Sequence, residues 1–210
     1  DWSGQSDSYQ LRYSEMSFFE DFENGLDGWL VASHGDHTDL TEWQPVPNTG
    51  SNNGSYEGNY GVISNSYCNG VGYDIDNWLI SPKVRLGGKL KYWVFCSITN
   101  WPDHYSVYVS TTTKSQEDTL TFQLLASPGD PTSTWTEVSI DLSAYEGKMG
   151  YIAFRDKCNN QLNMVIDNVG IYGCKSEWQV LDNATSPYVI GDLESDKYYL
   201  LEVYGMLMIR

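Results

Sequence analysis

Apolar and polar residues alternate with a period of two through most of this chain, the spacing of a strand with one buried face. "SYQLRYSE" (8–15) places Tyr9, Leu11 and Tyr13 on one side, and "FFEDFE" (18–23) reads as a second strand closed by the turn "NGLDG". Strand signals resume with "YGVIS" (60–64), "NWLIS" (77–81), "KLKYWVFCSI" (89–98) and "HYSVYVSTT" (104–112). They continue with "TFQLLAS" (121–127), "TWTEVSIDL" (134–142), "MGYIAFRD" (149–156) and "LNMVIDNVGIYG" (162–173). Turn residues separate these runs, and no helical period intervenes. The pattern predicts an all-β fold: a two-sheet antiparallel β-sandwich of jelly-roll or related type.

Parity along single strands locates the side chains. In 104–112, Tyr105, Val107 and Val109 share one face and Ser106, Tyr108 and Ser110 the other. In 162–173, strict alternation groups Met164, Ile166 and Asn168 against Val165, Asp167 and Val169. Asp167 therefore stands among apolar residues and needs compensation if buried. Residues 33–59 read as a long polar loop region, which suggests a functional or ion-ordered segment.

Charge sharpens that point. The 210 residues carry a net charge of −16, which excludes nucleic-acid binding and docking on anionic lipid. No apolar run is long enough for membrane insertion. Between Arg12 and Lys83 there is no basic side chain, while Glu15, Glu20, Asp21, Glu23, Asp27, Asp36, Asp39, Glu42, Glu57, Asp74 and Asp76 fall within it. Carboxylates held beside a core without internal cations repel one another, so a hard external cation is expected. Calcium is the structural cofactor we expect. Its candidate ligands are Glu20, Glu23, Asp76, Asp103 and Asp167, completed by carbonyls of the 48–59 loop. Asp21 and Asp27 are expected to be solvated, and Glu20 and Glu23 lie on opposite faces of their strand.

Trp43, Tyr56, Tyr60, Tyr67, Tyr73, Trp101 and Tyr105 lie in or beside loops. Exposed rings near amides suit sugar stacking or protein contacts, and Trp43, Tyr56 and above all Trp101 are the candidate ligand-binding residues. Cys68, Cys96, Cys158 and Cys174 form no CxxC pair, so a zinc knuckle is not indicated. Three disulfide pairings and free thiols all remain open. No GxSxG, HExxH or phosphate loop is present, and we expect no enzyme.

The two ends differ in texture from the middle. Leu193, Tyr199 and Val203 are spaced like the tyrosine-corner region of fibronectin type III domains. Residues 1–16 plus 175–210 are read as two halves of a partial fibronectin type III-like module, with a jelly-roll domain inserted over 17–174. Within that insert, "EDFENGLDGW", "DNWLISPKV", "DHYSVYVSTT" and "IAFRDKCNNQLNMVIDNVGI" resemble the cleaved-adhesin domain family, in the family's order and approximate separation. Two motifs depart from it: "ASHGDHTDL" stands for a usual Asp/Gly-rich stretch, and "RDKCNN" for the usual "RHxNC". The resemblance implies a jelly roll related to MAM and galactose-binding sandwiches, secretion or a cell-surface location, and structural calcium. It further implies adhesion to a host or matrix protein, or to a glycan, by a monomeric module of a larger protein. A carbohydrate-binding module of a secreted hydrolase and a purely structural spacer are the alternatives.

Overall fold

In the computed structural model, residues 8–49, 54–112, 119–173, 179–185, 188–191, 193 and 199–206 are described. Their strands are β1 (Ser8–Glu15), β2 (Phe18–Glu20), β3 (Leu30–Ser33), β4 (Gln44–Pro47), β5 (Tyr60–Asn65) and β6 (Tyr67–Cys68). Next come β7 (Val71–Gly72), β8 (Asp74–Ile80), β9 (Val84–Arg85), β10 (Lys89–Phe95), β11 (Tyr105–Ser110) and β12 (Gln123–Ala126). The last are β13 (Thr136–Asp141), β14 (Met149–Asn159), β15 (Asn163–Tyr172), β16 (Gln179–Ala184) and β17 (Tyr199–Met206).

Two six-stranded antiparallel sheets make the body. One runs β13-β10-β15-β5-β4, with β2 also on β15; the other runs β12-β11-β14-β8-β3, with β9 also on β14. Their facing sides build one core. Tyr92, Val94, Met164 and Ile166 from the first sheet are buried in it with Leu79, Val107, Ile152 and Phe154 from the second. Tyr92 meets Phe154 edge-on at 4.9 Å. Each such side chain contributes about 1.5–3 kcal/mol by leaving water. The alternation of 104–112 holds up to Val109: Tyr105, Val107 and Val109 are buried and Ser106 and Tyr108 half-buried, but Ser110, expected with the latter two, is also buried. The ends of the chain meet in a third sheet, β16-β1-β17.

Three local expectations are corrected. The polar region 33–59 contains β4, whose Pro45 and Pro47 sit in an edge strand that needs no outward amide donors. The strand expected at 18–23 ends at Glu20, because Phe22 turns to a φ of 56° and is wholly buried. Parity on β15 switches at Asn168, whose φ of 49° accompanies a register shift against β10. Met164 and Ile166 before the switch, and Val169 and Ile171 after it, all reach the core. Asp167 instead lies opposite Trp93 of β10.

Candidate functional site

Asp167 receives three backbone amides: Tyr56 at 2.8 Å, Glu57 at 3.2 Å and Asn168 at 2.7 Å. Glu23 receives those of Asn59 at 2.7 Å and Tyr60 at 2.9 Å, and the Asn59 side-chain amide at 2.9 Å. The two acids thus clamp residues 56–60 from opposite ends. Gly58 has φ +69°, and a Cβ there would run into the Glu23 carboxylate. Glu20 receives the Phe22 amide at 2.9 Å and the Trp29 indole N–H at 3.0 Å. Donors drawn from the chain itself, rather than basic side chains, therefore meet these acids. Burial, opposed by those amides and reinforced by Glu23, pushes the Asp167 pKa up to about 6. Burial also raises Glu20, whereas hydrogen bonds from Asn59 and Tyr60 lower Glu23.

The other two expected metal ligands are engaged elsewhere. Asp76 forms a two-pronged pair with Arg155, both contacts at 2.6 Å, and accepts the Trp78 indole N–H at 3.1 Å. The β8–β14 register brings this cation from 79 residues away, and the guanidinium lies 4.9 Å from the Trp78 ring centroid. Asp103 is fully buried and receives the Ser66 amide at 3.0 Å and the Ser66 hydroxyl. Beside it, Asp156 is also fully buried, with neither oxygen met by a well-aligned donor; Ser64, Cys158 and Asp103 are its polar neighbours. Burial and the Asp103 charge hold Asp156 well above the usual carboxylate range, and burial moves Asp103 up to about 6. Of the two, Asp156 holds its proton more tightly than an ordinary carboxylic acid, because burial and the neighbouring Asp103 charge both oppose its ionisation. Among the described residues, no three His, Cys, Asp or Glu side chains are grouped to hold a metal ion.

The aromatic candidates also separate. Trp43 is only 2% exposed and donates its indole N–H to the Asn77 carbonyl at 3.3 Å, so it belongs to the core and not to a ligand surface. Tyr56 stacks on Trp93 with ring centroids 3.7 Å apart and presents its edge to Trp135. Trp101 is 55% exposed and forms one wall of a cavity of about 260 Å³, with Tyr67, Ile98, Asn160, Gln161 and Leu162. Ser66, Arg155, Asp156, Asn160 and Gln161 carried no signal in the sequence as functional residues. Only the departure "RDKCNN" drew attention to the segment that contains three of them. Cys68, Cys96 and Cys158 are free thiols, and Cys174 lies outside the described residues.

Comparisons with known proteins agree on this architecture. A profile of the Cleaved Adhesin Domain family matches residues 15–171. Hemagglutinin A of Porphyromonas gingivalis is 31% identical over 169 residues, spanning 70% of this chain and 8% of that protein. The chain therefore corresponds to under a tenth of that relative's length. The K1 cleaved adhesin domain of Lys-gingipain from the same organism superposes with a TM-score of 0.60 at 31% identity, over 74% of this chain and 96% of that one. A CBM61 module solved with β-1,4-galactotriose shares the fold, with a TM-score of 0.50 at 17% identity over 72% of this chain and 93% of that one. With the family profile spanning both sheets of the sandwich, this chain belongs to the cleaved-adhesin domain family, a family of non-catalytic modules.

Proposed function

We propose that the chain is the adhesion module of an exported, multidomain protein and attaches it to a host or matrix protein or to a glycan. The family match over residues 15–171 carries this reading. The length of the relatives supports a multidomain setting, and their adhesin and haemagglutinin character supports a secreted or surface location. No helix among the described residues is long and apolar enough to cross a membrane. The three-stranded sheet formed by β1, β16 and β17 supports a separate partial module built from residues 1–16 plus 175–210 around an insert at 17–174.

Calcium is the finer part of the proposal. Glu20, Glu23 and Asp167 carry hard oxygens of the kind calcium prefers, but they are not grouped as a ligand set among the described residues, so calcium would have to draw them together with carbonyls of the neighbouring loop. Glu20 pairs in register with Val169, two residues along β15 from Asp167, and Asp167 remains raised by burial and by Glu23 despite its amides, which supports this reading. An ion there would supply the charge that the hydrogen-bond donors only partly offset, and would stabilise the fold by linkage to free calcium. Residues 50–53 of the expected ligand loop lie outside the described residues.

Binding of the purified domain to immobilised matrix proteins, glycans and intact host cells tests the adhesion reading. Saturable binding above that of an unrelated β-sandwich of similar net charge is expected. Retention equal to that control on every surface would leave a spacer.

A further inference from the structure

The cavity beside Trp101 is closed by the β6–β7 hairpin, the loop after β10 and the β14–β15 turn. Asp103 fastens these segments from below. It holds the Ser66 amide and hydroxyl, and the Ser66 oxygen in turn accepts the Gln161 amide at 2.9 Å. Trp101 closes its own turn on the Ile98 carbonyl at 3.0 Å, and the Asn160 amide reaches the Tyr73 carbonyl at 3.1 Å. Gly72 lies opposite Tyr67 in the hairpin register, and any Cβ there would strike the Asn160 side chain. Each wall is thus set before a ligand arrives, which reduces the ordering cost of binding.

The lining specifies the ligand chemistry. None of the six side chains is charged, so neither an anion nor a cation finds a partner, and the net charge of −16 repels anions at long range. Trp101 and Tyr67, 55% and 39% exposed, present ring surface suited to the C–H face of a sugar. The Asn160 and Gln161 amides offer donors and acceptors to hydroxyls. At about 260 Å³ the cavity falls below the roughly 300–1,000 Å³ of drug-sized sites, which limits it to about one ring. It is too small for a stable protein interface, which buries about 800 Å² per partner.

We infer that this pocket binds the neutral terminal pyranose of a glycan, with Trp101 and Tyr67 stacking on the ring and Asn160 and Gln161 meeting its hydroxyls. This specifies a ligand class for the adhesion reading and rests on it.

The test is a glycan array followed by titration with the methyl glycosides of galactose, glucose and mannose. The intact chain is compared with W101A, W101F, Y67A and G72A, each checked by its melting temperature. Neutral hexose-terminated glycans are expected to bind, sialylated ones not. W101A and Y67A should each weaken binding roughly tenfold, while W101F retains most of it. G72A, whose added Cβ would strike the Asn160 side chain from Cβ to Oδ1, should weaken binding by displacing that side chain. Glycan binding indifferent to all four substitutions would overturn the proposal. Matrix or cell binding with no response to sugars would overturn it and leave the adhesion reading standing, whereas binding to nothing would remove both.

Discussion

Phe22 adopts a left-handed backbone conformation that a bulky residue ordinarily avoids, at a cost of about 1–3 kcal/mol. Two local features hold it there: its amide donates to Glu20, and its ring packs at 5.5 Å on Trp29, which itself donates to the same carboxylate. Glu20 thereby joins the backbone turn to the first core aromatics, so its place among phenylalanines is structural. Replacing Phe22 with Ala removes a wholly buried ring and should lower unfolding free energy by about 3–5 kcal/mol in a urea titration. A loss below about 1 kcal/mol would show that relieved strain offsets most of the lost burial. At Asp76 the decisive partner is Arg155, whose guanidinium lies over the neighbouring Trp78 and Tyr108 rings. Asp76→Ala leaves that guanidinium unpaired, and a cost of about 2 kcal/mol is expected. That is less than the ~3–5 kcal/mol of a fully enclosed pair, because solvent reaches both groups. An unchanged urea midpoint would contradict it.

Among the elements, most strands were legible because one face is core and the other is not, which writes a period of two into the sequence. β10 and β11 follow that rule, whereas the middle of β14 is buried on both faces, with Ile152 and Phe154 in the main core and Tyr151 and Ala153 in a second cluster. β4 escaped it because Pro45 and Pro47 read as loop, although an edge strand tolerates both. β15 misled at Asn168, where one inserted residue reverses the parity of all that follows: Val169 joins Met164 and Ile166 in the core, while Asp167, before the switch, stays on the opposite face. The acids of the candidate site were legible one by one, but neither their separation into different sites nor their partners were. The Glu23 donors are amides 36 and 37 residues away, and the Asp76 cation is 79 residues away, separations fixed by topology alone. The loop joining β4 to β5 depends on Gly58, with φ +69° and no room for a Cβ against Glu23. Gly58→Ala should therefore destabilise by more than about 1 kcal/mol and increase hydrogen exchange at Asn59 and Tyr60, the amides Glu23 holds. Wild-type protection at these two amides in the variant would show that the clamp does not order the loop.

For the whole molecule, the shifted acids set the dependence on pH. Asp103 and Asp167 are both raised from 3.8 to about 6 by burial, so their contribution favours folding at low pH and is lost as pH rises through about 6. Glu23 and Asp76 are lowered, so theirs is present above their ordinary values, 4.5 and 3.8, and is lost as pH falls below them. The melting temperature in EGTA should therefore be higher near pH 5 than at pH 7.5, and should fall again toward pH 3. A steady rise from pH 5 to 7.5 would contradict the assignment. Calcium should raise the melting temperature more at pH 7.5 than at pH 5, since protons compete for the same oxygens. Sodium chloride giving the same shift would reduce the effect to screening. These terms stabilise a scaffold whose proposed task is attachment, so the most direct measurement is equilibrium retention of the intact domain on a glycan-bearing host-cell or matrix surface. The account predicts saturable retention that Trp101→Ala weakens while the melting temperature stays unchanged. Retention no greater than that of an unrelated acidic β-sandwich would contradict it.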